Sequence, residues 1–127
     1  MDRIKKFTID GRQFSVQFPN VGQIIDLDAM RQALSSNRYG AMAASCVKSS
    51  YYALDLIDAI SFFQVVCPEV GRYFDIQNFA TIDLALAEKL LKPWREEIKP
   101  WYENTMDEIR GVAQKSVEDG NNSSGDE

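Results

Sequence analysis

The 127-residue chain contains no histidine, and that absence removes the commonest general base and the commonest metal ligand together. Its two cysteines, Cys46 and Cys67, lack CxxC spacing and have no imidazole to activate a thiolate, which excludes a Cys-His nucleophile. Both stand among small or apolar neighbours and read as two buried free thiols of a reducing compartment. No GxGxxG, GxxxxGK[ST] or HExxH motif occurs. Positive charge is not in excess either: the net charge is −5. Residues 118–127 hold Glu118, Asp119, Asp126 and Glu127 with no Lys or Arg, which leaves −1 on residues 1–117. A nearly neutral body carries no electrostatic footprint for nucleic acid. No apolar run suits a membrane span. The longest, Tyr51 to Cys67, is 17 residues, and Asp55 and Asp58 within it are costly in lipid. The start, MDRIKKFTID, leads into a strand pattern and not a signal peptide, so the expectation is a soluble intracellular protein.

What the chain does have is one dominant helix. In YYALDLIDAISFFQVVC, at 51–67, only Asp55, Asp58, Ser61 and Gln64 interrupt the apolar side chains. At 100° per residue these four do not gather on one broad polar face, so the helix belongs in the middle of the fold, and Pro68 ends it. Ahead of it, residues 5–18 read as a β-hairpin with Phe7, Ile9, Phe14, Val16 and Phe18 on one face. An Asp10-Gly11 type I′ turn pairs Phe7 with Phe14 and sets Ile9 opposite Arg12. A Gly11-Arg12 type II′ turn gives two apolar pairs, Ile9–Phe14 and Phe7–Val16, and is preferred for that reason. A lone hairpin is marginal in water, so its apolar face must lie on helices.

Asn20 caps a helix over 21–34, with Gln23 at capping-box spacing. Ile24, Leu27 and Leu34 face inward, and Asp26, Asp28, Arg31 and Gln32 are outward candidates. Residues 35–40 form a loop. The small residues 41–50 pack closely, either as a separate helix or as the first turns of the central one, with a bend near Ser49 or Ser50. A short helical turn follows Pro68, and a connection runs from Asp75 to Ala80. From Thr81, as N-cap, a last helix reaches about Arg110. Within it LeuLysProTrp at 91–94 is echoed by IleLysProTrp at 98–101, so Leu91 and Ile98 share a face, as do Trp94 and Trp101. Pro93 and Pro100 kink or split that rod. The architecture is therefore mainly α: a single domain over 1–110, with an N-terminal hairpin on a bundle of about four helices, and a disordered acidic tail over 111–127.

Candidates for chemistry are few. Asp55 and Asp58 stand one turn apart and are read as solvent-edge or ion-paired carboxylates in preference to an acid–base pair. Glu96, Glu97, Glu103, Asp107 and Glu108 alternate with basic residues and read as a solvated face, with no metal and no cofactor implied. The partner-binding candidates are aromatic: Trp94, Trp101 and Tyr102 at the bend, with Phe7, Phe14 and Phe18 on the hairpin. For Trp94, Trp101 and Tyr102, core or groove packing against the hairpin face is the preferred reading, and partner binding is the functional alternative.

The order of these features, FPNVGQIIDLD after a hairpin, an alanine-rich segment, ALDLIDAISFF ending at a proline and then a KPW helix, resembles the small tail assembly chaperones of tailed bacteriophages. The resemblance covers about residues 5–110, and the doubled KPW departs from it. It implies a non-enzymatic protein of the host cytoplasm that binds an aggregation-prone tail component such as the tape measure protein, and that self-associates. A minor virion structural protein using the same surfaces is the alternative. Neither reading calls for nucleic acid, membrane, metal or cofactor.

Overall fold

The computed structural model describes residues 2–121, with side chains through Gly111. It is mainly α with an N-terminal hairpin, as expected. Strands β1 (Ile4–Ile9) and β2 (Arg12–Gln17) pair antiparallel, and Phe7, Ile9, Phe14 and Val16 are buried on one face. The register corrects the preferred turn: Phe7 lies opposite Phe14 and Ile9 opposite Arg12. Asp10 and Gly11 have φ of 50° and 78°, the two left-handed conformations that a type I′ turn requires. Arg12 does not waste its place opposite Ile9. Its guanidinium carbon lies 4.8 Å from the centroid of Tyr73, and the Phe7 and Phe14 rings stack at 5.6 Å.

Helix α1 (Val21–Ser35) begins at the expected capping box. The Asn20 side chain accepts from the Gln23 N–H at 2.9 Å, and the Gln23 side chain accepts from the Asn20 N–H at 3.0 Å. Leu27 is fully buried, whereas Arg31, expected outward, is half-buried against α3. Two helices follow, α2 (Tyr39–Ser45), which begins inside the loop expected over 35–40, and α3 (Lys48–Val65). The break falls at Cys46 (φ 59°) and Val47, ahead of the expected bend. α2 buries no residue and Cys46 is exposed, which corrects both the close packing expected of this segment and the pair of buried thiols; Cys67 alone is buried. Short alanines reach little beyond their own backbone, and α2 lies near α3 and α1 without burying any side chain.

Burial on α3 is confined to its second half, at Ala59, Ser61, Phe62 and Phe63, while Tyr51 and Tyr52 are exposed. Pro68 opens α4 (Pro68–Tyr73), where its missing N–H costs nothing. A Cβ on Gly71 would stand 3.1 Å from the ring of Phe79, in the 3-10 turn Phe79–Thr81, so any larger residue there would push that ring back by a few tenths of an ångström. Helix α5 (Leu84–Pro93) is capped by Asp83 and not by Thr81. The predicted split at the prolines is a π segment, Trp94–Ile98, between α5 and α6 (Lys99–Asn121). Lys99 donates to the Trp94 carbonyl five residues back. Widening the turn relieves the clash and the lost bond that Pro100 would impose on a regular helix. α6 continues past Arg110 to Asn121; of the tail expected from 111 onward, residues 122–127 lie outside the described residues.

The hairpin face, α3, α4, α5 and the π segment share one core of Phe7, Phe14, Phe62, Phe63, Leu90, Leu91, Trp94 and Ile98. Because the hairpin hangs from α1 through Asn20, Asn20→Ala is expected to cost about 1 kcal/mol of stability. Urea unfolding checks it, as a lower midpoint with an unchanged slope.

Candidate partner-binding surface

The structure moves most of the predicted contact residues inward. Trp94 is 2% exposed, with its ring 5.2 Å from Phe62. Trp101 is buried edge-on to Phe18, and its Nε1–H donates to the Asp2 carbonyl at 2.8 Å. Phe7 and Phe14 are buried beneath the hairpin. These four are core residues, which corrects their assignment to a partner surface. A two-stranded sheet has no second sheet to cover it, so ring bulk from the helices seals it. Phe18 and Tyr102 are half-buried and stacked at 5.4 Å on the margin of that core.

Beyond Phe18 the surface changes character. Phe18, Pro19, Val21, Ile24 and Ile25 face Met106 and Ile109 of α6 across an open groove of about 450 Å³. Arg3 and Asn20 supply its polar edge. Val21 and Ile25, one turn apart on α1, are 77% and 64% exposed. Local structure explains the arrangement. The capping box fixes where α1 starts, and the Phe18 N–H bonds to the Arg3 carbonyl at 2.7 Å, holding the strand end beside it. α1 thus buries Leu27 on one side and leaves Val21 and Ile25 on another. The signal was present in FPNVGQII, which has more apolar residues than one inward stripe consumes. Reading α1 through Ile24, Leu27 and Leu34 alone passed over it. A contiguous exposed apolar patch marks interaction surface more often than a lone exposed Leu does.

Asp55 and Asp58 are both ion-paired, on different neighbours. Arg95 Nε lies 3.1 Å from Asp55 Oδ2, and Lys99 Nζ lies 3.9 Å from Oδ1. Asp58 Oδ1 accepts from the Tyr39 hydroxyl at 2.6 Å and stands 3.1 Å from Arg31 Nε. That last contact is Coulombic, since the Nε–H does not point along a hydrogen bond. Burial holds the Asp58 carboxyl above its ordinary value, against the opposing pull of Tyr39 and Arg31. Burial and the Asp58 carboxylate in turn push the Tyr39 hydroxyl upward. The two carboxylates therefore tie α1, α2 and the π segment to α3. Among the described residues no group of three or more Cys, Asp or Glu converges as a metal site would require, and no helix is long and apolar enough to cross a membrane.

No family model matches the chain, and no curated protein or solved structure matches it.

Two outcomes follow from these placements. Trp94→Ala is expected to cost about 3–5 kcal/mol, read from urea or thermal unfolding, as a cavity beside Phe62 demands. Asp58 gives a pH signature. Its folded value is raised above 3.8, so in the window opening at 3.8 the folded state holds the proton more tightly than the unfolded chain. Its contribution to stability therefore falls as pH rises through that window. Asp58→Asn is expected to remove this slope, measured as the difference in unfolding free energy between the two proteins across acidic pH.

Proposed function

We propose that this chain is a small assembly chaperone of the tailed-phage type, working in the host cytoplasm by covering an apolar helix of an aggregation-prone partner such as the tape measure protein. The observation that carries the reading is the groove between α1 and α6. One wall, Phe18 and Pro19 with Val21, Ile24 and Ile25 of α1, is drawn from FPNVGQII, the stretch on which the resemblance to tail chaperones rests. Two helices with an apolar gap between them suit a third helix that inserts side chains at i, i+3 and i+4. An anchor of two or three aliphatic side chains matches the volume of the groove. On this reading the chain acts as a binding protein and transforms no substrate.

Co-expression with the longest helical protein of the same genome is the test. The wild-type chain is expected to co-purify with that protein and keep it soluble. Ile25→Asp should abolish both effects while leaving the melting temperature nearly unchanged, because an exposed side chain contributes little to folding. A soluble partner in the presence of Ile25→Asp would remove the groove from the mechanism. A partner that aggregates beside the wild-type chain would remove the chaperone role itself.

A further inference from the structure

Helix α2 is held to the body by a single side-chain bond. It buries no residue, has no side-chain cap at Arg38, and carries Gly40 inside a helix of 7 residues. So short a helix does not persist alone in water, and α2 stands only where something holds it. Its joints are left-handed and none is glycine: Ser36 and Asn37 (φ 53° and 63°) precede it, and Cys46 (φ 59°) follows it. Among the described residues the hydrogen bonds of 39–46 stay within 38–47, save one. That one runs from the Tyr39 hydroxyl to Asp58 Oδ1, at 2.6 Å. The remaining anchorage is the half-buried Met42 and the Tyr39 ring, whose centroid lies 5.8 Å from the Arg31 guanidinium carbon.

The acceptor is contested. Arg31 Nε stands 3.1 Å from the same Asp58 Oδ1, is buried, and has no hydrogen-bond partner. A buried donor without an acceptor is costly, and the oxygen it lacks is the one that Tyr39 occupies. The other charges that reach Asp58 are Lys99, which attracts it, and Asp55, one turn earlier on α3, which repels it. Release of α2 therefore exchanges one bond to Asp58 for another, at a fraction of the cost of global unfolding. What α2 covers follows from helical spacing. At about 100° per residue, Leu54, Ile57 and Asp58 share one side of α3, while Leu56, Ala59 and Phe63 share the other, toward the ring core. Leu54 and Ile57 are half-buried yet take no part in that core. The elements on their side are the two that reach Asp58, α1 through Arg31 and α2 through Tyr39.

We infer that α2 is a releasable flap, latched by Tyr39 on Asp58. When the latch opens, α2 unwinds, Arg31 takes the freed carboxylate oxygen, and Leu54 and Ile57 are bared. The strip so uncovered is apolar and lies away from the ring cluster, so the rest of the fold survives the release. The flap is independent of the α1–α6 groove: a flap that stays shut leaves the chaperone reading standing, and an idle groove leaves the flap standing.

Hydrogen exchange of the full chain, followed by mass spectrometry, tests it. Residues 39–46 are expected to exchange as one block, faster than Ala59–Phe63. Low urea should leave the rate of that block unchanged, because releasing α2 exposes little surface. Tyr39→Phe deletes only the hydroxyl and should speed the block about tenfold. Arg31→Met should slow it several-fold, since the released state then has no donor for Asp58. Tyr39→Asp sets a second carboxylate against Asp58 and should hold the flap open. Carbene footprinting of that variant should label Leu54 and Ile57 more heavily, with Leu56 as in the wild type. The inference is overturned by α2 amides as slow as those of Ala59–Phe63, by no response to Tyr39→Phe, or by faster exchange in Arg31→Met. Unchanged labelling of Leu54 and Ile57 in Tyr39→Asp would also overturn it, as would labelling of Leu56 alongside them, the mark of general unfolding.

Discussion

A two-stranded hairpin cannot bury its own apolar face, and the rest of this structure is arranged around that constraint. Phe7 and Phe14 stack on each other, and Phe7 then meets Phe63 at 6.0 Å. Phe63 stands edge-on to Phe62, which in turn supports Trp94 and Tyr102. One chain of rings thus runs from the hairpin through the second half of α3 to the C-terminal helices. Each ring buries a large area at low conformational cost, which is how a chain of this size fills a core with few long side chains. The first half of α3 takes no part in it, and there the surface carries tyrosines instead.

That allocation accounts for the π segment as well. Trp94 and Trp101 must both reach the ring cluster from a rod that holds Pro93 and Pro100, and neither proline has an N–H to give. A regular helix would meet the Pro100 ring with its own carbonyls. The widened turn over Trp94–Ile98 absorbs the defect where Arg95 and Lys99 can still reach Asp55. The ion pairs stand at the rim of the core and are partly exposed, so they add orientation more than stability.

Local chemistry was legible in the sequence, and distant pairing was not. The Asn20–Gln23 box, the stop at Pro68 and the proline split each depend on residues within one or two turns, and the residues alone place them. In the observed hairpin register Arg12, opposite Ile9, is seated partly on Tyr73, more than fifty residues away, as well as on Phe14. Period-two alternation is identical in both registers and could not choose between them. Arg31 misled for a similar reason. A charge in a helix has an outward default, and Asp58 overrules it from another element. Cys46 erred in the opposite direction: a small-residue segment reads as packed only if a neighbour comes close enough to use it.

The groove proposed as the binding surface is lined mostly by aliphatic side chains, so attention to large rings passes over it. Aromatic anchors are sought at interfaces because they bury area cheaply, but the same property makes them the first residues a small core recruits. A chain with a thin sheet to cover spends its rings inside, and what remains for the outside is aliphatic. Val21 and Ile25 contribute nothing to the ring cluster, and the capping box that positions them would work as well with polar residues there. Folding gives no reason for two exposed aliphatics one turn apart beside Met106 and Ile109. Contact with something other than this chain's own core does, and that asymmetry between what the fold uses and what it leaves over is the physical basis for reading the α1–α6 groove as the working face of the molecule.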